Sequence, residues 1–146
     1  ASVNEAYEKM GIAAEVSPFF DNMAGRIAAS HLVISRAGAS TVSEIAAIGR
    51  PSLLVPYPFA LDHDQAANAA ALEVNGGTVV RQQKDLSPQI LAGIITEMAG
   101  NAAKSAAMAA AAKAAGKPAA ASLLAYLTEA IAGGKSVAQF TKELHT

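Results

Sequence analysis

The chain has 146 residues, no cysteine and a formal net charge of -1, which excludes disulfides, thiolate chemistry and thiolate-bound zinc. Hydrophobic residues make up 52% and charged ones 16%, a balance that argues against disorder and suits one domain with a single core. Lys and Arg are scattered and form no basic stripe, so nucleic acid is not an expected partner.

The opening ASVNEAYEKMG lacks the basic start and apolar core of a signal peptide. It begins directly in helical pattern, as an excised piece of a longer chain would. Asn4 to Met10 reads as a short helix stopped by Gly11. Ala13 to Val16 reads as a strand closed by Pro18, and Asp21 as the cap of a helix from Met23 to Ala29. His31 to Ser35 is a continuous apolar run expected to form a strand buried on both faces, with His31 packed at its start. A helix from Val42 to Ile48 follows, ended by Gly49. A second buried strand spans Ser52 to Val55, and Pro56-Tyr57-Pro58 lead out of it.

Asp64 to Val74 is a helix pattern stopped by Asn75-Gly76-Gly77, and Thr78 to Arg81 is a short strand. From Ser87 onward the pattern is helical, with Ser87 as cap and Pro88 in the first turn. The alanine-rich Asn101–Ala115, a helix through Ile131 and a short amphipathic helix at Val137–Leu144 complete the chain. No apolar run approaches the ~18 residues that span a bilayer. Apolar strands alternating with helices predict an α/β fold: a Rossmann-like parallel sheet of about four strands with flanking helices. Residues 1–132 are expected to be the domain and 133–146 a tail helix, with a first strand missing upstream.

In open parallel sheets, ligands sit beyond the carboxyl ends of the strands, where helix N-termini point outward. The turn Arg36-Ala37-Gly38-Ala39-Ser40-Thr41 lies at such an end. Its small residues and free N–H groups suit a phosphate or diphosphate, or else they make only a tight turn. Glu44, one turn on, is placed to accept from both hydroxyls of a ribose. Equally, Thr41-Val42-Ser43-Glu44 fits a capping box in which Glu44 reaches back to Thr41. Gln65 and Asn68 share a helix face at the next strand end, and their amides suit neutral sugar hydroxyls or simply face solvent. Asp62-His63-Asp64 is a poor metal site, because sequence neighbours rarely point at one centre.

The segments PFFDNM, SRAGASTVSEIAAIGRPSLLVPYP and LDHDQAANA, in that order, strongly resemble the C-terminal domain of the MurG N-acetylglucosaminyltransferases. The resemblance covers essentially the whole chain. It implies part of a two-domain GT-B fold, in which this domain holds the donor UDP-N-acetylglucosamine for transfer to lipid I, giving lipid II in peptidoglycan synthesis. It further implies that Phe20 lies against the uracil through its backbone. Ala39, Ser40, Thr41, Val42 and Ser43 line the diphosphate and ribose, Glu44 takes the ribose hydroxyls, and Gln65 with Asn68 addresses the sugar. No metal or other cofactor is implied.

The catalytic base and the lipid I site are expected on an N-terminal domain, nothing of which matches here, so the piece alone is expected to be inactive. The whole enzyme would sit peripherally on the cytoplasmic face of the inner membrane. Phe59 departs from the pattern, standing where relatives often have histidine. The alternative is a non-catalytic nucleotide-sugar-binding subunit that docks on a separate catalytic chain.

Overall fold

The computed structural model describes residues 2–60 and 64–144. Helices α1 (Val3–Lys9) and α2 (Met23–Ala29) precede strand β1 (Val33–Ser35), which is followed by α3 (Ala39–Ile48) and β2 (Ser52–Leu54). Next come α4 (Asp64–Glu73), β3 (Val79–Val80) and a 3-10 turn at Gln83–Asp85. The remainder is helical: α5 (Pro88–Gly100), α6 (Ala102–Ala115), α7 (Ala120–Ala132) and α8 (Val137–Leu144).

The strands form one parallel sheet in the order β1-β2-β3, with Ser35 opposite Leu54 and Leu54 opposite Val80. Parallel neighbours need crossovers, which α3 and α4 supply. All three strands therefore end on one edge, and the turns that leave Ser35, Leu54 and Val80 gather there. At the other end of the sheet Ser52 Oγ donates to Thr78 Oγ1 at 2.8 Å, and Thr78 Oγ1 donates to the Ser52 carbonyl at 3.0 Å, so this buried polar pair is satisfied.

Strand β2 is central, with Leu53 and Leu54 fully buried, each contributing about 1.5–3 kcal/mol of burial. Ala37, Ile45, Ala46, Ala69, Leu72 and Ala112 join Leu54 in the core, so α3, α4 and α6 close over the sheet. Alanine in these helices lets their backbones approach closely. The backbones also approach closely at Gly116, where an added Cβ would lie 2.7 Å from the Ala46 carbonyl oxygen. Gly116→Ala is therefore expected to cost about 1–3 kcal/mol, read as a lower urea midpoint at unchanged slope. An unchanged midpoint would mean that this junction is slack.

The α/β class with a parallel sheet flanked by helices is as expected; several elements differ. Ala13–Val16 forms no strand: its residues are exposed and no strand pairs with them among the described residues. Strand propensity counts only where a ladder and a packing face exist. Three strands are found among the described residues where about four were expected. Asn22, not Asp21, caps α2, its Oδ1 accepting from the Gly25 N–H at 3.0 Å. Strand β1 is not buried on both faces, because Ile34 is 45% exposed. His31 is exposed and precedes the strand, so it is not packed in it. Ser87 does cap α5, accepting from the Ile90 N–H at 3.2 Å with Pro88 in the first turn. Asp62, His63 and His145 lie outside the described residues.

Candidate functional site

Helix α3 begins at Ala39, three positions before the expected Val42, with Gly38 as its cap (φ -63°, ψ 147°). Glycine has no side chain with which to satisfy the first turn, and among the described residues no other side chain caps this helix. Helix geometry leaves the first amides without intrahelical acceptors, and the first turn's bond to Gly38 O comes from the Val42 N–H, at 3.0 Å. Among the described residues the N–H groups of Ala39, Ser40 and Thr41 have no protein acceptor. They lie at the carboxyl edge of the sheet, together with the positive end of the α3 dipole. Ala39 and Ser40 are exposed, so the approach is open.

With Gly38 as cap, the capping-box reading of Thr41 and Glu44 fails. Thr41 is already inside the helix, and Glu44 is too far along it to reach the cap residue's N–H. Glu44 is exposed, and its carboxylate has no partner among the described residues. It follows Ser40 by four positions and Thr41 by three, so it shares their helix face. The opposite face carries the buried Ile45 and Ala46. Val42 packs partly against the core, while Ser43 is exposed.

The amides of α4 are held from the neighbouring strand ends. Gln65 Oε1 accepts from the Tyr57 N–H at 3.0 Å, and Asn68 Nδ2 donates to the Ala37 carbonyl at 3.2 Å. These partners fix which way each amide faces, because an N–H requires an oxygen and a carbonyl requires an N–H. Among the described residues Gln65 keeps both Nε2 hydrogens, and Asn68 keeps its Oδ1 acceptor and one Nδ2 hydrogen. Donors and an acceptor side by side at the α3 turn match the two-way hydrogen bonding of hydroxyls. Asp64 Oδ1 accepts from the Gln65 N–H at 2.8 Å, which spends one of its oxygens within the turn.

Phe20 lies in the loop before α2. The Arg26 guanidinium carbon stands 4.0 Å from its ring centroid, a cation–π distance. Arg26 is held in turn by a fork to Glu15, Nη1 to Oε2 at 2.7 Å and Nη2 to Oε1 at 2.6 Å. This hydrogen bonding holds the Glu15 carboxyl below its usual range and raises Arg26 further. The tie is present above the ordinary carboxylate range and is lost as pH falls through the lowered Glu15 pKa; both groups are solvent-exposed, which keeps it weak. The ring of Phe20 is thus held, while its backbone N–H and C=O have no partner among the described residues.

Arg36 escaped the sequence reading. Its Nη1 donates to the carbonyls of Val55 (3.3 Å) and Pro56 (3.4 Å), its Nη2 donates to Gln83 Oε1 (2.7 Å), and its guanidinium carbon is 5.5 Å from the Tyr57 ring centroid. Only an arginine at a strand end, directly before a small-residue turn, hinted at it. Phe59 is exposed and meets Tyr57 edge-on, with ring centroids 5.7 Å apart. Among the described residues no cluster of His, Asp and Glu could hold a metal ion.

The arrangement resembles known proteins over most of the chain. Residues 1–124 match the family model described as the glycosyltransferase family 28 C-terminal domain. A relative from Mesorhizobium japonicum, named UDP-N-acetylglucosamine–N-acetylmuramyl-(pentapeptide) pyrophosphoryl-undecaprenol N-acetylglucosamine transferase, is 63% identical over 97% of this chain. A protein of the same name from Sinorhizobium fredii is 60% identical over 94% of it. The chain spans 38% and 37% of the length of these two curated relatives. The crystal structure of Acinetobacter baumannii MurG superposes with a TM-score of 0.75 at 32% identity, covering 84% of this chain and 37% of that one.

Proposed function

The chain belongs to the glycosyltransferase family 28 C-terminal domains, and from that premise we propose that it is the donor-holding part of a GT-B N-acetylglucosaminyltransferase. The donor is UDP-N-acetylglucosamine. The acceptor is the lipid-linked muramoyl-pentapeptide, lipid I, and the product is lipid II for peptidoglycan. One observation carries the reading: the acceptor-free amides of Ala39–Thr41 with the unpartnered Glu44 carboxylate one turn on, flanked by oriented amides at Gln65 and Asn68.

In this reading the amides of Ala39, Ser40 and Thr41 take the diphosphate, with Val42 and Ser43 forming the wall beside the ribose. Glu44 accepts from the ribose hydroxyls. Gln65 Nε2 donates to a sugar oxygen and Asn68 Oδ1 accepts from a sugar hydroxyl. The backbone of Phe20 offers one donor and one acceptor, complementary to the adjacent N–H and C=O of a uracil edge. Transfer is a direct displacement: the acceptor hydroxyl attacks the anomeric carbon, a base takes its proton, and UDP departs. As that bond breaks, charge grows on the diphosphate, and the N-terminus of α3 meets it with dipoles already in place.

The base and the lipid I site are assigned to the remainder of the longer enzyme, which would work peripherally at the cytoplasmic face of the membrane. Among the described residues no helix is long and apolar enough to cross a membrane. Calorimetric titration of the chain tests the reading. UDP-N-acetylglucosamine is expected to bind, with GDP-mannose at least about tenfold weaker, the scale of one lost hydrogen-bonding edge. No transfer to a lipid I analogue is expected from this chain alone. Equal affinity for the two sugar nucleotides would contradict the base assignment, and measurable transfer would contradict the placing of the base elsewhere.

A further inference from the structure

The Arg36 fork, the Tyr57 amide and the two α4 amides form a closed ring of contacts. Arg36 Nη1 grips the carbonyls of Val55 and Pro56. The next residue, Tyr57, gives its N–H to Gln65 at 3.0 Å. Asn68, on the same helix as Gln65, returns to the carbonyl of Ala37 at 3.2 Å, and Ala37 follows Arg36 in the chain. Gln83, beyond β3, accepts from Arg36 Nη2 at 2.7 Å, so one planar group ties together the exits of all three strands. Prolines at 56 and 58 stiffen the segment that Arg36 holds.

The acceptors of Arg36 are neutral oxygens, and no carboxylate pairs with it among the described residues. Its donors point across the strand ends, toward the β2 exit and Gln83. A lysine could keep the charge but not the fork, since a single ammonium lacks the planar pair of nitrogens that reaches two strand ends at once.

We propose that Arg36 is a positioning residue: through Val55–Tyr57 it sets Gln65, and so couples the diphosphate turn at Ala37–Thr41 to the sugar-facing end of α4. The proposal rests on the donor-site reading above. It assigns Arg36 to recognition of the sugar, although the residue lies beside the diphosphate turn. An ordinary phosphate-contacting arginine behaves differently, because its loss weakens the nucleotide and the nucleotide sugar alike.

The test compares UDP and UDP-N-acetylglucosamine binding to the whole chain carrying Arg36→Lys, Gln65→Ala or both, alongside hydrogen exchange of the Tyr57 amide. Arg36→Lys is expected to leave UDP affinity within about twofold and to weaken UDP-N-acetylglucosamine about tenfold, the worth of one or two hydrogen bonds. Adding Arg36→Lys to Gln65→Ala is expected to cost little more than Gln65→Ala alone. Tyr57 amide exchange should quicken, while the Val33 amide, bonded to the Pro51 carbonyl at the far end of the sheet, should not. Equal weakening of both ligands by Arg36→Lys, or fully additive effects in the double variant, overturns the proposal. If the unaltered chain binds neither nucleotide, the donor-site reading fails first. Exchange at Tyr57 then decides alone, and unchanged protection overturns the role given to Arg36.

Discussion

Glu44→Ala is expected to weaken UDP and UDP-N-acetylglucosamine binding about 30- to 160-fold while leaving the urea midpoint unchanged. A carboxylate accepting from two ribose hydroxyls makes charge-assisted hydrogen bonds worth roughly 2–3 kcal/mol together, which sets that range. The unchanged stability follows from geometry. Gly38 caps α3, so Glu44 has no cap to lose, and its side chain is exposed with no partner among the described residues. Were it part of a capping box, the same substitution would cost about 1 kcal/mol of stability. A second readout isolates the ribose. The unaltered chain should prefer UDP to 2′-deoxy-UDP, and Glu44→Ala should erase most of that preference. A variant that keeps the preference, or loses stability while keeping affinity, would return Glu44 to a structural role.

Ser40→Asp should move stability and binding in opposite directions. Ser40 is exposed in the first turn of α3, where a carboxylate meets the positive end of the helix dipole and adds about 0.3–1 kcal/mol. The same carboxylate would stand within roughly 4–5 Å of a diphosphate on those amides. At an effective dielectric of about 20 that repulsion is a few kcal/mol, enough to lower donor affinity at least about 100-fold. Denaturation and calorimetry on one sample check both halves. Raised stability with unaltered affinity would place the diphosphate away from this helix end.

The parts of this molecule that were legible in the sequence are those whose cause is local. Strand β2 could be read over Ser52–Val55 because Leu53–Val55 is an apolar run ahead of Pro56, and the observed strand, Ser52–Leu54, proves buried throughout. The turn at Gly38 could be read because small residues between a strand and a helix mark a close approach of backbone. The errors come where two local patterns compete or where a pattern lacks a tertiary partner. Thr41-x-x-Glu44 matches a capping box, but Ala39 and Ser40 extend the helix upstream of it, and Gly38 takes the cap. Ala13–Val16 has strand composition, yet among the described residues no strand pairs with it, and Glu15 is engaged by Arg26.

Arg36 was illegible for a different reason. Its acceptors lie 19, 20 and 47 residues away in sequence, so no window around it contains its purpose. The same holds for the orientation of the α4 amides. Their pairing on one face followed from the spacing of Gln65 and Asn68, but the free atom on each is decided by Tyr57 and Ala37. Family resemblance named these residues as contacts to the sugar, and the hydrogen bonds suggest which end of each amide remains to make one.

The most direct test of the donor site is a titration of the isotopically labelled chain with UDP-N-acetylglucosamine, followed by amide and side-chain NMR shifts. The largest changes are expected on the backbone amides of Ala39, Ser40 and Thr41, on Phe20 and on the side-chain amides of Gln65 and Asn68. UDP alone should move the first two groups and leave the α4 amides nearly still. Changes centred elsewhere, on the far end of the sheet around His31 or along α7 and α8, would contradict the donor-site reading, as would a spectrum that does not respond at millimolar ligand.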